Sequence, residues 1–248
     1  MVGYWTARFN DTFASPASAV YASTWQEVFG NEYPPSLDTY SYVSVTELRR
    51  IAKDLRIGDG NRFADVGCGR GGPSLWVAAQ TGAALVGVDI AETALRAGRE
   101  RANALALSDR ATFLTGAFED LPLDSEDLDG VMSIDALLFT ADKAAALREL
   151  ARVLRPGARL VLTTWDYDRQ PDGRPPQVDD HRPLLQDAAS TSTPTRRRWT
   201  GVAVSTGPQT DCSPWSTRSR LRAARTQTTY VPASRRCARA WTACDGAS

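Results

Sequence analysis

The candidate chemistry of this chain begins at DVGCGRGG, Asp65 to Gly72, which follows the short apolar run RFADV. Gly67, Gly69 and Gly71 carry no Cβ, so the backbone can turn sharply there and approach a ligand closely. A helix starting just beyond them offers free N–H groups to the same ligand. The spacing fits GxGxG (67, 69, 71) and also the dinucleotide pattern GxGxxG (67, 69, 72); a tight strand–helix turn without a ligand uses the same residues. Asp89 closes the next apolar run, VGVD, about 20 residues past the glycines, where a carboxylate can accept from both hydroxyls of an adenosine ribose. Capping of the next helix is its competing role. Asp166 ends the later run RLVLTTWD, at the strand end where open α/β sheets place ligands. His181, the only histidine, sits in the polar stretch DDHRPLL. Asp166 and His181 are the candidate catalytic bases. A solvent-facing loop histidine competes with the role given to His181, and loop or capping carboxylates compete at Asp135 and Asp166.

These residues need elements to hold them. SVTELRRIAKDLRI (44–57) sets Val45, Leu48, Ile51 and Leu55 at helical spacing behind Ser44, a plausible N-cap. Strand and helix patterns then alternate. RFADVG, ALVGVDI, ATFLTG, LDGVMSI and RLVLTTW read as strands. GPSLWVAAQTG reads as a helix closed by Gly82, AETALRAGRERANAL as a second, and DKAAALRELARVLRPG as a third closed by Pro156-Gly157. The pattern predicts an α/β fold, Rossmann-like and doubly wound, with a mainly parallel sheet of five clear strands. Strands covered on both faces explain unbroken apolar runs such as LVGV. Residues 1–43 read as an aromatic-rich helical cap with turns at Ser15-Pro16 and Pro34-Pro35, residues 44–188 as the ligand-binding domain, and residues 189–248 as a basic low-complexity tail.

Composition narrows the function classes. The chain of 248 residues has no apolar run of about 18 residues, so no membrane helix is expected. MVGYWTARFNDTF lacks the basic start and apolar core of a secretory signal, which points to the cytoplasm. Cys68, Cys212, Cys237 and Cys244 form no CxxC pair, so neither a disulfide framework nor a metal site is expected. The zero net charge hides an asymmetry. Residues 189–248 hold ten arginines against Asp211 and Asp245, a surplus of eight positive charges, and the rest of the chain is negative by the same amount. A basic arm suggests nucleic acid. The absence of lysine, of regular spacing and of any RNA-binding motif argues against that partner.

In residues 44–188 the chain resembles the class I S-adenosylmethionine-dependent methyltransferases, in the branch acting on small molecules. DVGCGRGG is similar to their first motif and GVDI to their ribose-binding strand end. GAFEDLPLDSEDLDGVMSIDAL is similar to their loop and fourth strand, and ALRELARVLRPGARLVLTTWD to their long helix, turn and fifth strand. The resemblance implies S-adenosyl-L-methionine as cofactor and a small-molecule methyl acceptor, in bacterial natural-product or sugar biosynthesis. It implies that Asp65, Gly67, Gly69 and Gly71 line the methionine and ribose part, that Asp89 holds the ribose with Ile90 against the adenine, and that Ser133 lies near the methionine end. Ala117 and Phe118 stand where many relatives carry an aspartate that accepts from the adenine amino group. Ala117 cannot accept, a loss of about 1 kcal/mol unless Glu119 or water substitutes, while Phe118 can add ring contact. Leu138-Phe139 replaces the histidine base of related sugar O-methyltransferases. A nicotinamide-dependent oxidoreductase shares the glycines but not the ordered ending.

The tail departs from that pattern. Of its 60 residues, 51 are Ala, Ser, Thr, Pro, Arg, Gly, Trp or Cys, all types whose codons carry G or C at the middle base. In a GC-rich gene that bias belongs at the third base, so the tail reads as displaced by one nucleotide near Ala188. The resemblance implies two further edge strands, an antiparallel pair. A displaced tail is expected to be disordered, to lack those strands, to leave the fifth strand as an open edge, and to deprive the chain of part of its substrate roof and of activity.

Overall fold

The expected strand runs form β1 (Arg62–Val66), β2 (Ala84–Asp89), β3 (Ala111–Thr115), β4 (Leu128–Ile134) and β5 (Leu154–Tyr167), paired in parallel in the order β3-β2-β1-β4-β5. The computed structural model describes residues 2–15, 17–38, 40–41, 43–167, 172–178, 180–190, 199–209 and 227–231. Around the sheet lie α1 (Val2–Ala14), α2 (Ala17–Phe29), α3 (Val45–Leu55), α4 (Gly72–Thr81), α5 (Glu92–Ala104), α6 (Lys143–Val153) and α7 (Arg182–Ser190).

The sheet is buried on both faces, each with its own core. One face gathers Ala64, Val86, Val131 and Leu160 with Leu147 and Leu150 of α6 and Leu185 of α7. The other gathers Phe63, Leu85, Met132 and Val161 with Leu48 of α3, Leu75 of α4 and Leu95 of α5. Neighbouring strand residues alternate between the two cores, as the two-residue period of a strand requires. Apolar side chains suit both sides, hence the continuous runs.

Helix ends follow local chemistry. Ser44 accepts from the Glu47 N–H while the Glu47 carboxylate accepts from the Ser44 N–H, a complete capping box for α3. Ser44→Ala is expected to cost about 1 kcal/mol and to lower the melting temperature by about 2–4 °C. Thermal unfolding followed by circular dichroism checks this, and an unchanged midpoint removes the box from the account of α3. Gly82 closes α4 in the left-handed region. The helix expected to run to Pro156-Gly157 instead ends at Val153, because Leu154 already pairs with Leu128 of β4.

The expectation of a sheet ending at β5 is corrected. β6 (Trp199–Gln209) pairs parallel with β5, and β7 (Gln227–Val231) pairs antiparallel with β6, giving seven strands. An open parallel edge offers a row of backbone donors and acceptors to any extended segment. These two segments hold all the valines and the one tyrosine of the tail, Val202, Val204, Tyr230 and Val231. Short runs diluted by Thr, Ser and Gly hid that signal. A displaced reading frame called for no strands here, and the two strands remove that support for it. Residues 191–198, 210–226 and 232–248 lie outside the described residues, and so does the rest of the expectation of a disordered tail.

Candidate active site

The order of strands reverses between β1 and β4, and open α/β sheets bind ligands beyond the strand ends at such a point. The glycine loop fills this position. The N–H groups of Gly67 and Cys68 both donate to the Val88 carbonyl, which ties the loop to β2. Gly67 has φ +78°, and a Cβ there would lie 2.3 Å from the Ala136 Cβ and 3.5 Å from the Phe118 ring. Gly72, at the start of α4, is more crowded still: a Cβ would lie 1.5 Å from the Leu37 carbonyl oxygen.

Asp89 faces this loop from the end of β2. One carboxylate oxygen accepts from the Gly69 N–H at 2.8 Å and the other from the Ala91 N–H at 2.9 Å. Asp89 therefore does both jobs weighed for it: it caps the start of the next segment and holds the glycine loop. Each oxygen keeps a second lone pair for a ligand hydroxyl. Burial raises its pKa against these two backbone donors.

Asp65 is fully buried at the end of β1, and burial, with Asp89 nearby, pushes its pKa up to about 7 against the lowering effect of a hydrogen bond from Ser74. Its Oδ1 makes no hydrogen bond, and neither does the buried Oγ of Ser133 on β4. A buried polar atom without a partner is costly and marks a place where a ligand completes the structure. Two carboxylates beside a glycine loop suit a cation and repel phosphate. That favours a sulfonium with an ammonium group over a dinucleotide. In the free protein the sign is adverse: with a raised pKa, Asp65 costs stability progressively as pH climbs from 3.8 to about 7.

The segment after β4 closes the other side. Asp135 has φ +52°, a left-handed backbone unusual for a residue other than glycine. Its N–H donates to the Thr163 backbone carbonyl at 3.1 Å and lies 3.0 Å from the Thr163 hydroxyl, whose own O–H donates to the Asp135 carboxylate at 2.7 Å. Tyr33, from the cap, is pushed up to about 12 by burial first and then by the charges of Glu47, Asp135 and Glu32. Sequence reasoning offers Asp135 only as a loop or capping carboxylate; neither the backbone angle nor the long-range Thr163 contact leaves a mark in local sequence.

The cap forms a roof over these strand ends. On α1, Asn10 accepts from the Thr93 N–H at the start of α5, Phe13 stands 3.2 Å from where a Gly69 Cβ would lie, and Trp5 and Phe9 pack edge-on against Phe139. The Arg174 guanidinium lies 4.4 Å from the Phe139 ring centroid and 5.2 Å from that of Trp5. Asp38 pairs with Arg70 of the glycine loop at 2.6 Å and also with Arg101 of α5.

Other expected residues take different places. Ala117 bridges to Asp120, and the Phe118 ring lies beside Gly67. The Glu119 carboxylate accepts from the Thr140 hydroxyl. Ile90 is half-buried beside Asp89. His181 is not the solvent-facing loop residue that competed with its catalytic role; it is buried, and its carbonyl starts α7 by accepting from the Leu185 N–H. The Asp166 backbone lies in β5 opposite Pro208, and its side chain lies outside the described residues. Among the described residues no cluster of acids, histidines and cysteines could hold a metal ion, and no helix is long and apolar enough to cross a membrane.

This fold and site define a class. Residues 64–162 match the family described as "Methyltransferase domain", and there the chain is similar to class I S-adenosylmethionine-dependent methyltransferases. S-adenosylmethionine is the cofactor of that class. The chain is similar to the methyltransferase GfsG of Streptomyces halstedii, 32% identical over 129 residues, 52% of this chain and 46% of that protein. It is similar to 27-O-demethylrifamycin SV methyltransferase of Amycolatopsis mediterranei (strain S699), 33% identical over 113 residues, 46% of this chain and 42% of the relative. Among solved structures it is similar to the [4+2]-cyclase SpnF, with 25% identity and a TM-score of 0.53, covering 58% of this chain and 57% of that one. The chain spans less than half the length of the two curated relatives.

Proposed function

We propose that this protein binds S-adenosyl-L-methionine at the glycine loop and transfers its methyl group to a small molecule, in bacterial natural-product biosynthesis. The observation that carries the reading is the unpartnered buried Oδ1 of Asp65 beside a glycine loop already gripped by Asp89. Asp65 would hold the methionyl ammonium, Asp89 the ribose hydroxyls, and Ile90 and Phe118 the adenine faces, with Ser133 on β4 toward the methionine end. When bound, the cofactor supplies a methyl group on a sulfonium, a group poised for displacement. The protein's part is to align the acceptor with that methyl and to exclude water; Trp5, Phe9, Phe13 and Phe139 of the roof serve the second purpose. Similarity to GfsG and to the rifamycin methyltransferase supports the natural-product setting.

Calorimetry with S-adenosylhomocysteine, alongside NAD, tests the binding step: micromolar affinity for the first and none for the second is expected, and the reverse overturns the reading. The structurally similar SpnF is a [4+2]-cyclase, so binding alone does not establish transfer; movement of a labelled methyl group to an acceptor does. Proton linkage gives a further check. Asp65, with its pKa at about 7 in the free protein, ionises when an ammonium sits against it. Binding of S-adenosylhomocysteine near pH 6 is therefore expected to release close to one proton. Affinity should rise with pH up to about 7, by at most tenfold per pH unit. Titrations in two buffers of different ionisation enthalpy measure the release, and none at pH 6 takes Asp65 out of the ligand site.

A further inference from the structure

Among the residues whose side chains are described, Asp135 stands at a strand end of the site with a carboxylate that the cofactor contacts proposed above leave unused. Three observations set it apart. Its backbone is left-handed at φ +52°, a conformation that costs a residue other than glycine and that clusters at functional sites. Its carboxylate is aimed by the Thr163 hydroxyl at 2.7 Å, while its N–H is anchored on the same residue. Its neighbour Ala136 packs on Gly67, which places residues 135 and 136 against the loop where the methyl donor would lie. Asp135 is half-exposed, unlike Asp65 and Asp89, and so can exchange a proton with solvent. One turn further on, Phe139 meets Trp5 and Phe9 and gives the space beyond Asp135 an apolar wall. The titratable groups that act near it are Tyr33 and Glu32 of the cap, with Glu47 of α3 behind.

We infer that Asp135 takes the acceptor's proton during methyl transfer, and that the acceptor presents a hydroxyl group; this rests on the methyltransferase reading above. An amine attacks with a free lone pair, whereas a hydroxyl gains from a base as its oxygen becomes bonded to carbon. In the step, the acceptor oxygen forms a bond to the methyl carbon and the carbon–sulfur bond breaks with its electron pair on sulfur. The O–H proton passes to an Asp135 carboxylate oxygen, which later returns it to solvent. Thr163 is a positioning residue in this arrangement.

Asp135→Asn separates chemistry from structure. Asparagine tolerates the left-handed backbone and keeps an oxygen for the Thr163 hydroxyl, but it is not a base. The variant is expected to melt within 2 °C of the parent (roughly the shift from 1 kcal/mol in a chain this size) and to bind S-adenosylhomocysteine within about threefold. Transfer of labelled methyl from S-adenosylmethionine would be followed with 4-methylumbelliferone as the hydroxyl probe, tyramine as a phenol bearing an amine, and 2-mercaptoethanol as the thiol. The full chain is expected to label the hydroxyl of the first two, and Asp135→Asn to do so at least 100-fold more slowly, with Asp135→Glu recovering part of the rate. An Asn variant within threefold of the parent, labelling of the amine or thiol alone, or no labelling of any probe while S-adenosylhomocysteine still binds overturns this inference and leaves the cofactor assignment standing. A parent chain that fails to bind S-adenosylhomocysteine overturns both.

Discussion

Asp89→Ala is expected to weaken S-adenosylhomocysteine binding by roughly 1.5–3 kcal/mol, a factor of about 10 to 150. A charged acceptor is lost, and with it the 2.8 Å anchor on the Gly69 N–H that holds the loop in shape before the ligand arrives. The Ala91 N–H loses its partner as well. Because Asp89 is buried with a raised pKa, its removal is not expected to destabilise the free protein by a comparable amount. The two readouts should therefore diverge, with a large change in affinity by calorimetry and a small change in melting temperature. Unchanged affinity would remove Asp89 from the ligand site, and a collapse of both would make it a structural residue.

Gly67→Ala has the opposite signature, with fold and binding lost together. A left-handed backbone costs a non-glycine residue about 1–2 kcal/mol, and forcing a methyl group into a packed site costs about 1–3 kcal/mol more. Here the added carbon would lie 2.3 Å from the Ala136 Cβ, so either the loop or the turn after β4 must move. At about 2–4 °C per kcal/mol, the melting temperature should fall by roughly 4–20 °C. Gly60→Ala is the matched control: its φ is +79° but nothing lies within 4 Å of its Cβ direction, so only the backbone cost applies. Equal losses at the two sites would show that no close packing exists at Gly67.

The sheet core and the glycine loop were legible because their causes are local. An unbroken apolar run means a strand covered twice, as in LVGV of β2, and a glycine at every second position means a loop that a Cβ would block. The capping box of α3 was half legible, since Ser44 announced itself and its partner Glu47 sits one helical turn on. What failed to show depends on contacts between distant residues. Nothing near His181 signals that it is buried at the start of α7, and nothing near Glu119 says that Thr140 occupies its carboxylate. The Asp135–Thr163 pair spans 28 residues and obeys no period. β6 and β7 escaped for another reason: backbone pairing to an open edge asks little of side-chain pattern, so weak alternation in a Ser-, Thr- and Gly-rich segment still sufficed.

The roof built by α1 has a consequence for the order in which the molecule assembles. Its anchors, Thr93, Phe139 and Gly69, lie far along the chain, with 83 residues separating Asn10 from Thr93. A ribosome delivers α1 before any of these anchors exists. Contacts that close long loops are made late, because the entropy of closure must be met before the contact rewards it. α1 is thus late to find its seat, once β1, β2 and β4 have set the three strand ends side by side. Loosening of α1 alone would uncover Gly69 and Phe139 together while leaving the strand pairings of the sheet intact.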